Sequence, residues 1–90
     1  MKQGWITLSS GAKYHYVDDK IHNDDGPAVI YSDGTKSWFK HNKRHRDDGP
    51  AFENANGNKA WYYEDKYLGH SLQGYTQEKF EQWKKFKIFL

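Results

Sequence analysis

The chain repeats itself every 23 residues in three copies, and this constrains its fold more than any other feature. Gly11, Gly34 and Gly57 stand at that spacing, as do Asp19, Asn42 and Asp65, then Lys20, Lys43 and Lys66, and the aromatics Tyr16, Phe39 and Tyr62. The longest match sets His22-Asn23-Asp24-Asp25-Gly26-Pro27-Ala28 against His45-Arg46-Asp47-Asp48-Gly49-Pro50-Ala51. A period in this range means one supersecondary unit stacked on copies of itself, each covering a face its neighbour leaves open.

Each unit reads as two short strands and their turns. In the middle copy Lys36-Ser37-Trp38-Phe39-Lys40 has the aromatic bias and length of a strand. His41-Asn42-Lys43 follows as a turn, with Asn42, like Asp19 and Asp65, where a left-handed backbone is needed. Asp47-Asp48-Gly49-Pro50 is a second turn signal. Ala51-Phe52-Glu53-Asn54 is the second strand, running into Ala55-Asn56-Gly57, a hairpin turn of Asn-Gly type. The structural turn residues are therefore Gly26, Pro27, Gly34, Gly49, Pro50 and Gly57. Alternation places Tyr14, Tyr16, Phe39 and Tyr62 with Ile6, Leu8, Val29, Tyr31 and Phe52 on one apolar face, the expected buried one. His15, Trp38 and Trp61 fall on the other, and which of the two faces the C-terminal helix covers is left open.

The last part of the chain leaves the pattern. Thr76 reads as a helix N-cap, Glu78 suits the first turn, and Tyr75 can staple onto Phe80. Phe80, Trp83 and Phe86, with Lys87 and Leu90, keep helical spacing. The expectation is a mainly β chain: a single antiparallel meander of about six strands over residues 3–71, capped by one C-terminal α-helix over 75–90, all in one domain, 1–90.

Composition narrows the function classes. With no cysteine there is no disulfide framework, thiolate metal site or thiol nucleophile. Met1-Lys2-Gln3-Gly4-Trp5 lacks the apolar run of a signal peptide, and no stretch reaches membrane-spanning length, so a soluble, cytoplasmic protein without membrane partners is expected. The net charge of +2 says little, but its distribution says more. Lys36, Lys40, Lys43, Arg44 and Arg46 lie together with no acid among them, and Lys79, Lys84, Lys85 and Lys87 form a second basic group.

At this point the units resemble a known family. Trp38-Phe39-Lys40-His41-Asn42-Lys43-Arg44-His45-Arg46-Asp47-Asp48-Gly49-Pro50-Ala51 is similar to the MORN-type β-hairpin repeat, in the bacterial and phage variant with His-Arg-x-Asp-Gly-Pro-Ala units. Asn42 stands where that pattern usually has Gly, His15 replaces the Trp in the first copy, and Leu68 stands where His45 predicts a histidine in the third. The resemblance spans residues 3 to 68. It implies an elongated single sheet, a scaffold or binding module with no general catalytic activity, and, for a phage-encoded member, a host defence or toxin component as partner in the host cytoplasm.

Candidate sites follow from these residues. His22 with Asp24 and His45 with Asp47 have the chemistry of metal half-sites, but their repetition favours a turn-bracing role, and no metal or other cofactor is expected. No nucleophile elbow, phosphate-cradling loop or unrepeated His/Asp/Ser set points to an enzyme. The expected function is docking on a host protein through Trp38 and Trp61 with Lys36, Lys40, Arg44 and Arg46 as a basic rim. The alternative is single-stranded nucleic acid stacked on the same rings, with Lys84, Lys85 and Lys87 on phosphates. A third reading is a structural, self-associating piece; the oligomeric state is left open.

Overall fold

Two kinds of turn alternate along the chain within the repeat units, and the Asp-Asp-Gly-Pro segments link one unit to the next. The computed structural model describes residues 1–87. In the first kind, the glycine N–H returns to the carbonyl three residues back, as in Gly34 N to Tyr31 O at 3.0 Å, while Tyr31 N reaches Thr35 O at 2.8 Å. Gly11, Gly34 and Gly57 have φ of 91°, 93° and 88°, a conformation that glycine alone adopts without strain. These are three-residue loops with a glycine bulge, longer than the two-residue hairpin that the Asn-Gly signal suggests.

The two-residue primed hairpins lie elsewhere, at Asp18-Asp19, His41-Asn42 and Glu64-Asp65. Both central residues of each are left-handed, with φ of 50° and 68° at His41 and Asn42. No glycine is used, so each turn carries about 1 kcal/mol or more of backbone cost per residue. The second residue offsets this by tying its unit to the one before. Asn42 Oδ1 accepts Ile21 N–H at 2.7 Å while Asn42 N–H reaches Ile21 O at 2.9 Å. Asp65 does the same to Arg44, at 2.9 and 2.8 Å, and Asp19 to Lys2.

Ten short strands result among the described residues: β1 (Gly4–Thr7), β2 (Lys13–Val17), β3 (Lys20–Ile21), β4 (Val29–Ile30), β5 (Lys36–Ser37), β6 (Phe39–Lys40), β7 (Lys43–Arg44), β8 (Phe52–Glu53), β9 (Lys59–Tyr63) and β10 (Lys66–His70). The main antiparallel sheet runs β1-β2-β4-β5-β8-β9-β10, with β3 also on β2 and β6-β7 as a separate pair. The meander with one C-terminal helix is as expected; the count of about six strands is too low. The cause is the Asp-Asp-Gly-Pro segment, which leaves the sheet and cuts one extended track into two-residue pieces. Trp38 bridges such a gap, donating its N–H to Ala51 O at 2.8 Å and accepting from His45 N at 3.0 Å. β10 is the third unit's counterpart of β3 and β7, running on to His70 and joining the main sheet.

Cross-strand partners share a face, and the register defines two. One carries Tyr14, Val29, Ser37, Phe52 and Ala60 in a row, with Phe39 opposite Arg44 and Tyr62 opposite Tyr67. This is the apolar face the alternation groups together, here called the ring face. Its floor, Val29, Ser37 and Ala60, is buried, but among the described residues no helix covers it, and Leu8, Tyr31 and Tyr67 on it are exposed. The expected burial of this whole face is therefore corrected: only its floor is inside.

The helix α1 (Gln77–Phe86) packs on the opposite face, with Thr76 as its N-cap accepting from Lys79 N at 3.2 Å. A short 3₁₀ turn, Ser71–Gln73, leads into it. Of the expected 75–90 helix, residues 88–90, with Leu90, lie outside the described residues. The extents of 40 × 29 × 17 Å describe a thin, elongated body, and the radius of gyration of 13.7 Å exceeds the roughly 12 Å of a spherical domain this long.

Candidate functional site

The helix face shows how this fold closes a unit. Trp61 on β9 is 3% exposed. Its indole packs on the Tyr75 ring, centroids 5.2 Å apart, and its Nε1–H donates to Gln77 Oε1 at 3.0 Å. Gln77 Nε2 donates to the Asp48 carbonyl at 3.2 Å, and Lys84 Nζ to the Asp47 carbonyl. Phe80 is fully buried. The seat of α1 is thus one tryptophan, one Gly-Pro turn and two turn carbonyls, met by polar groups two helical turns apart.

The same seat recurs one repeat earlier, with no helix in it among the described residues. Trp38 corresponds to Trp61, Asp24 and Asp25 to Asp47 and Asp48, and Gly26-Pro27 to Gly49-Pro50. Arg46 supplies here what Tyr75 supplies there. Its guanidinium lies 4.2 Å from the Trp38 ring centre, Nη1 donates to Pro50 O at 3.1 Å, and Nε donates to Asp48 Oδ1 at 2.9 Å. The residue in register with Arg46 in the third unit is Gly69, and a Cβ there would run into the Tyr75 ring.

What remains over Trp38 is a groove of about 350 Å³ between the turns 23–27 and 45–48. Trp38, Lys40 and Arg46 line it with Pro27, Asp24 and Asp25. One repeat displaces the seat by two strand spacings, about 9.5 Å. That is also the spacing of packed helices, about 8–10 Å, so a helix laid in the groove would lie beside α1 at packing distance.

The rim is acidic in balance. Asp24, Asp25, Asp47 and Asp48 line the groove against Lys40 and Arg46. Burial alone would push the Asp47 carboxyl up, but hydrogen bonds from His45 and Lys40, at 2.7 and 3.3 Å, hold it below the usual carboxylate range. Asp48 is paired with Arg46, and Asp25 has no ion pair among the described residues.

The two repeated histidines brace this architecture. His45 is buried, with Nδ1 accepting Glu64 N–H at 3.0 Å and Nε2–H donating to Asp47. His22 does the same with His41 N–H at 3.0 Å and Asp24 at 2.9 Å. Both ring nitrogens are thus committed to turns of adjacent units, and among the described residues no cluster of three or more metal-ligating side chains forms.

The expected docking residues do not come together on one surface. Trp38, Lys40 and Arg46 do, in the groove. Trp61 is corrected from an exposed anchor to a core residue under α1, because Gly69 leaves room for Tyr75. Arg44 lies on the ring face, while Lys36 shares the helix side with Ile30 and Glu53, outside the groove. Of the expected phosphate contacts, Lys84 is taken up by Asp47 and Lys87 by Tyr63, and Lys85 is exposed. Sequence reading missed Asp25 as a groove residue and Gly69 and Tyr75 as the pair that seats the helix. The signal was present in the column Asn23, Arg46, Gly69, where side-chain size vanishes in the third copy.

Among the described residues no helix is long and apolar enough to cross a membrane. In comparison with known proteins, the chain matches no family model, no curated protein and no solved structure.

Proposed function

We propose that this chain is a non-enzymatic protein-binding module that receives an amphipathic helix of a partner in the groove over Trp38 and acts by occluding it. One observation carries the reading: the repeat-equivalent seat over Trp61 is filled by a helix, α1, through Gln77 and Lys84. The partner helix would present carboxamide or ammonium groups two turns apart to the Asp24 and Asp25 carbonyls, and a basic side chain to the Asp25 carboxylate. Burying such a helix hides its functional face from other partners. The resemblance to MORN-type repeats supports a scaffold role and a host defence or toxin component as the class of partner. Phosphates fit the groove poorly, since four aspartates rim it.

The sequence has no cysteine, so Gly26→Cys, in the groove lining where an added Cβ meets nothing within 4 Å, gives a unique attachment point for a benzophenone crosslinker. Bacterial lysate treated with nuclease should yield one crosslinked protein, joined through a helix, and the product should disappear with Trp38→Ala. Recovery that needs intact nucleic acid, or crosslinking only to a second copy of this chain, would overturn the reading.

A further inference from the structure

The opposite, ring face carries two buried polar atoms that find no hydrogen-bond partner among the described residues, Ser37 Oγ and Arg44 Nε. Arg44 is held between two rings, its guanidinium carbon 5.5 Å from the centres of both Phe39 and Tyr62. Asp65 takes the Arg44 backbone N–H, at 2.9 Å, and not its side chain. No carboxylate pairs with the guanidinium among the described residues. Tyr31, 36% exposed, stands near enough for this charge to act on its hydroxyl. A second cation, Lys2, lies 5.0 Å over the Tyr16 ring at one end of the same face.

A long cation normally turns its head to water. Here Phe39 and Tyr62 flank the guanidinium and Nε is shut off from solvent and unsatisfied, so an incoming acceptor meets the two Nη groups. The arrangement is costly in the free protein and preorganised for an acceptor, because a planar guanidinium matches a carboxylate in two parallel hydrogen bonds. Half-buried rings around one half-buried arginine, with Tyr31 and Tyr67 exposed beside them, have the composition that dominates protein interfaces.

We propose that the ring face is a second interaction surface, independent of the groove over Trp38, and that it takes an acidic peptide segment whose Asp or Glu carboxylate pairs with Arg44 between Phe39 and Tyr62. The positive charge of Arg44 and Lys2 selects the acid, and the tyrosines cover the apolar residues flanking it.

The test uses the full chain against two displayed nonapeptide pools, random except for a central Glu in one and a central Gln in the other. The Glu pool should be enriched about tenfold or more over the Gln pool, the worth of one charge-assisted pair. Arg44→Met should abolish that preference and Arg44→Lys should restore only part of it, while Trp38→Ala leaves it intact. Titrating a selected peptide should shift the Arg44 Nε–Hε signal in a ¹H–¹⁵N spectrum. Equal enrichment of both pools, or a Glu preference that survives in folded Arg44→Met, would overturn the proposal. So would a selected peptide that leaves the Arg44 signal unmoved.

Discussion

Tyr75 occupies the space that a side chain on Gly69 would fill, and this contact decides where the repeat stops and the helix begins. In the middle unit the same position is Arg46, which covers Trp38 by itself. In the third unit the missing side chain admits Tyr75 onto Trp61, and α1 follows. Gly69→Ala should therefore destabilise the protein by about 1–3 kcal/mol through overpacking, and Tyr75→Ala in the same chain should recover part of that loss. Thermal melts of both single variants and the double variant form a cycle; strict additivity would show that the two residues do not share this space.

The two tryptophans should separate by stability. Trp61→Ala opens the space under α1 and is expected to cost about 3–5 kcal/mol. Trp38, half-buried beneath Arg46, should cost clearly less, leaving a folded protein in which binding can be assayed. Urea titrations followed by far-ultraviolet circular dichroism give both values.

Asn42 offers a test of how units are joined. Asn42→Gly keeps the left-handed turn but loses the bond to Ile21 N–H, at a cost of about 1 kcal/mol. Asn42→Ala loses the bond and adds the strain of a left-handed alanine, another 1 kcal/mol or so. If chemical denaturation finds the two variants equal, the turn's conformation contributes nothing.

Acid should loosen the repeat junction. The Asp47 carboxyl is held below its ordinary pKa of 3.8 because the hydrogen bonds from His45 and Lys40 outweigh burial, and Asp33 is lowered by hydrogen bonds from Thr35. A depressed folded-state pKa adds stability above the unfolded value and loses it as pH falls through the folded one. Melting temperature should thus decline below pH 3.8, and less steeply in Asp47→Asn. At the alkaline end burial raises the pKa of Tyr31 and Tyr75 above 10.0, so their contribution is full below that pH and fades as pH rises through the folded values. A melting temperature flat from pH 5 to pH 2 would contradict the role given to Asp47.

Much of this was readable in one dimension because it is local. The 23-residue period carried the stacked units, the left-handed places of Asp19, Asn42 and Asp65, the shared face of Tyr14, Phe39 and Tyr62, and the Thr76 cap. Each depends on backbone conformation or on alternation, which neighbouring residues dictate. The split of the strands at Trp38 was hidden, because it arises where the Asp-Asp-Gly-Pro segment leaves the sheet and the hydrogen bonds cross to Ala51 and His45.

The groove was half legible. Trp38, Lys40 and Arg46 were selected for their chemistry and do meet there, yet Arg44, two residues from Arg46, points to the other side of the sheet. Sequence by itself determined the unit, its turns and which rings share a face, since a strand's alternation requires no knowledge of what lies above it. Only the tertiary structure decided which face the helix covers, making Trp61 core, leaving Trp38 lining a groove and leaving Arg44 between two rings. Both faces offer aromatic surface of similar kind, and the choice between them rests on one packing contact, Tyr75 over Gly69, that no local propensity encodes.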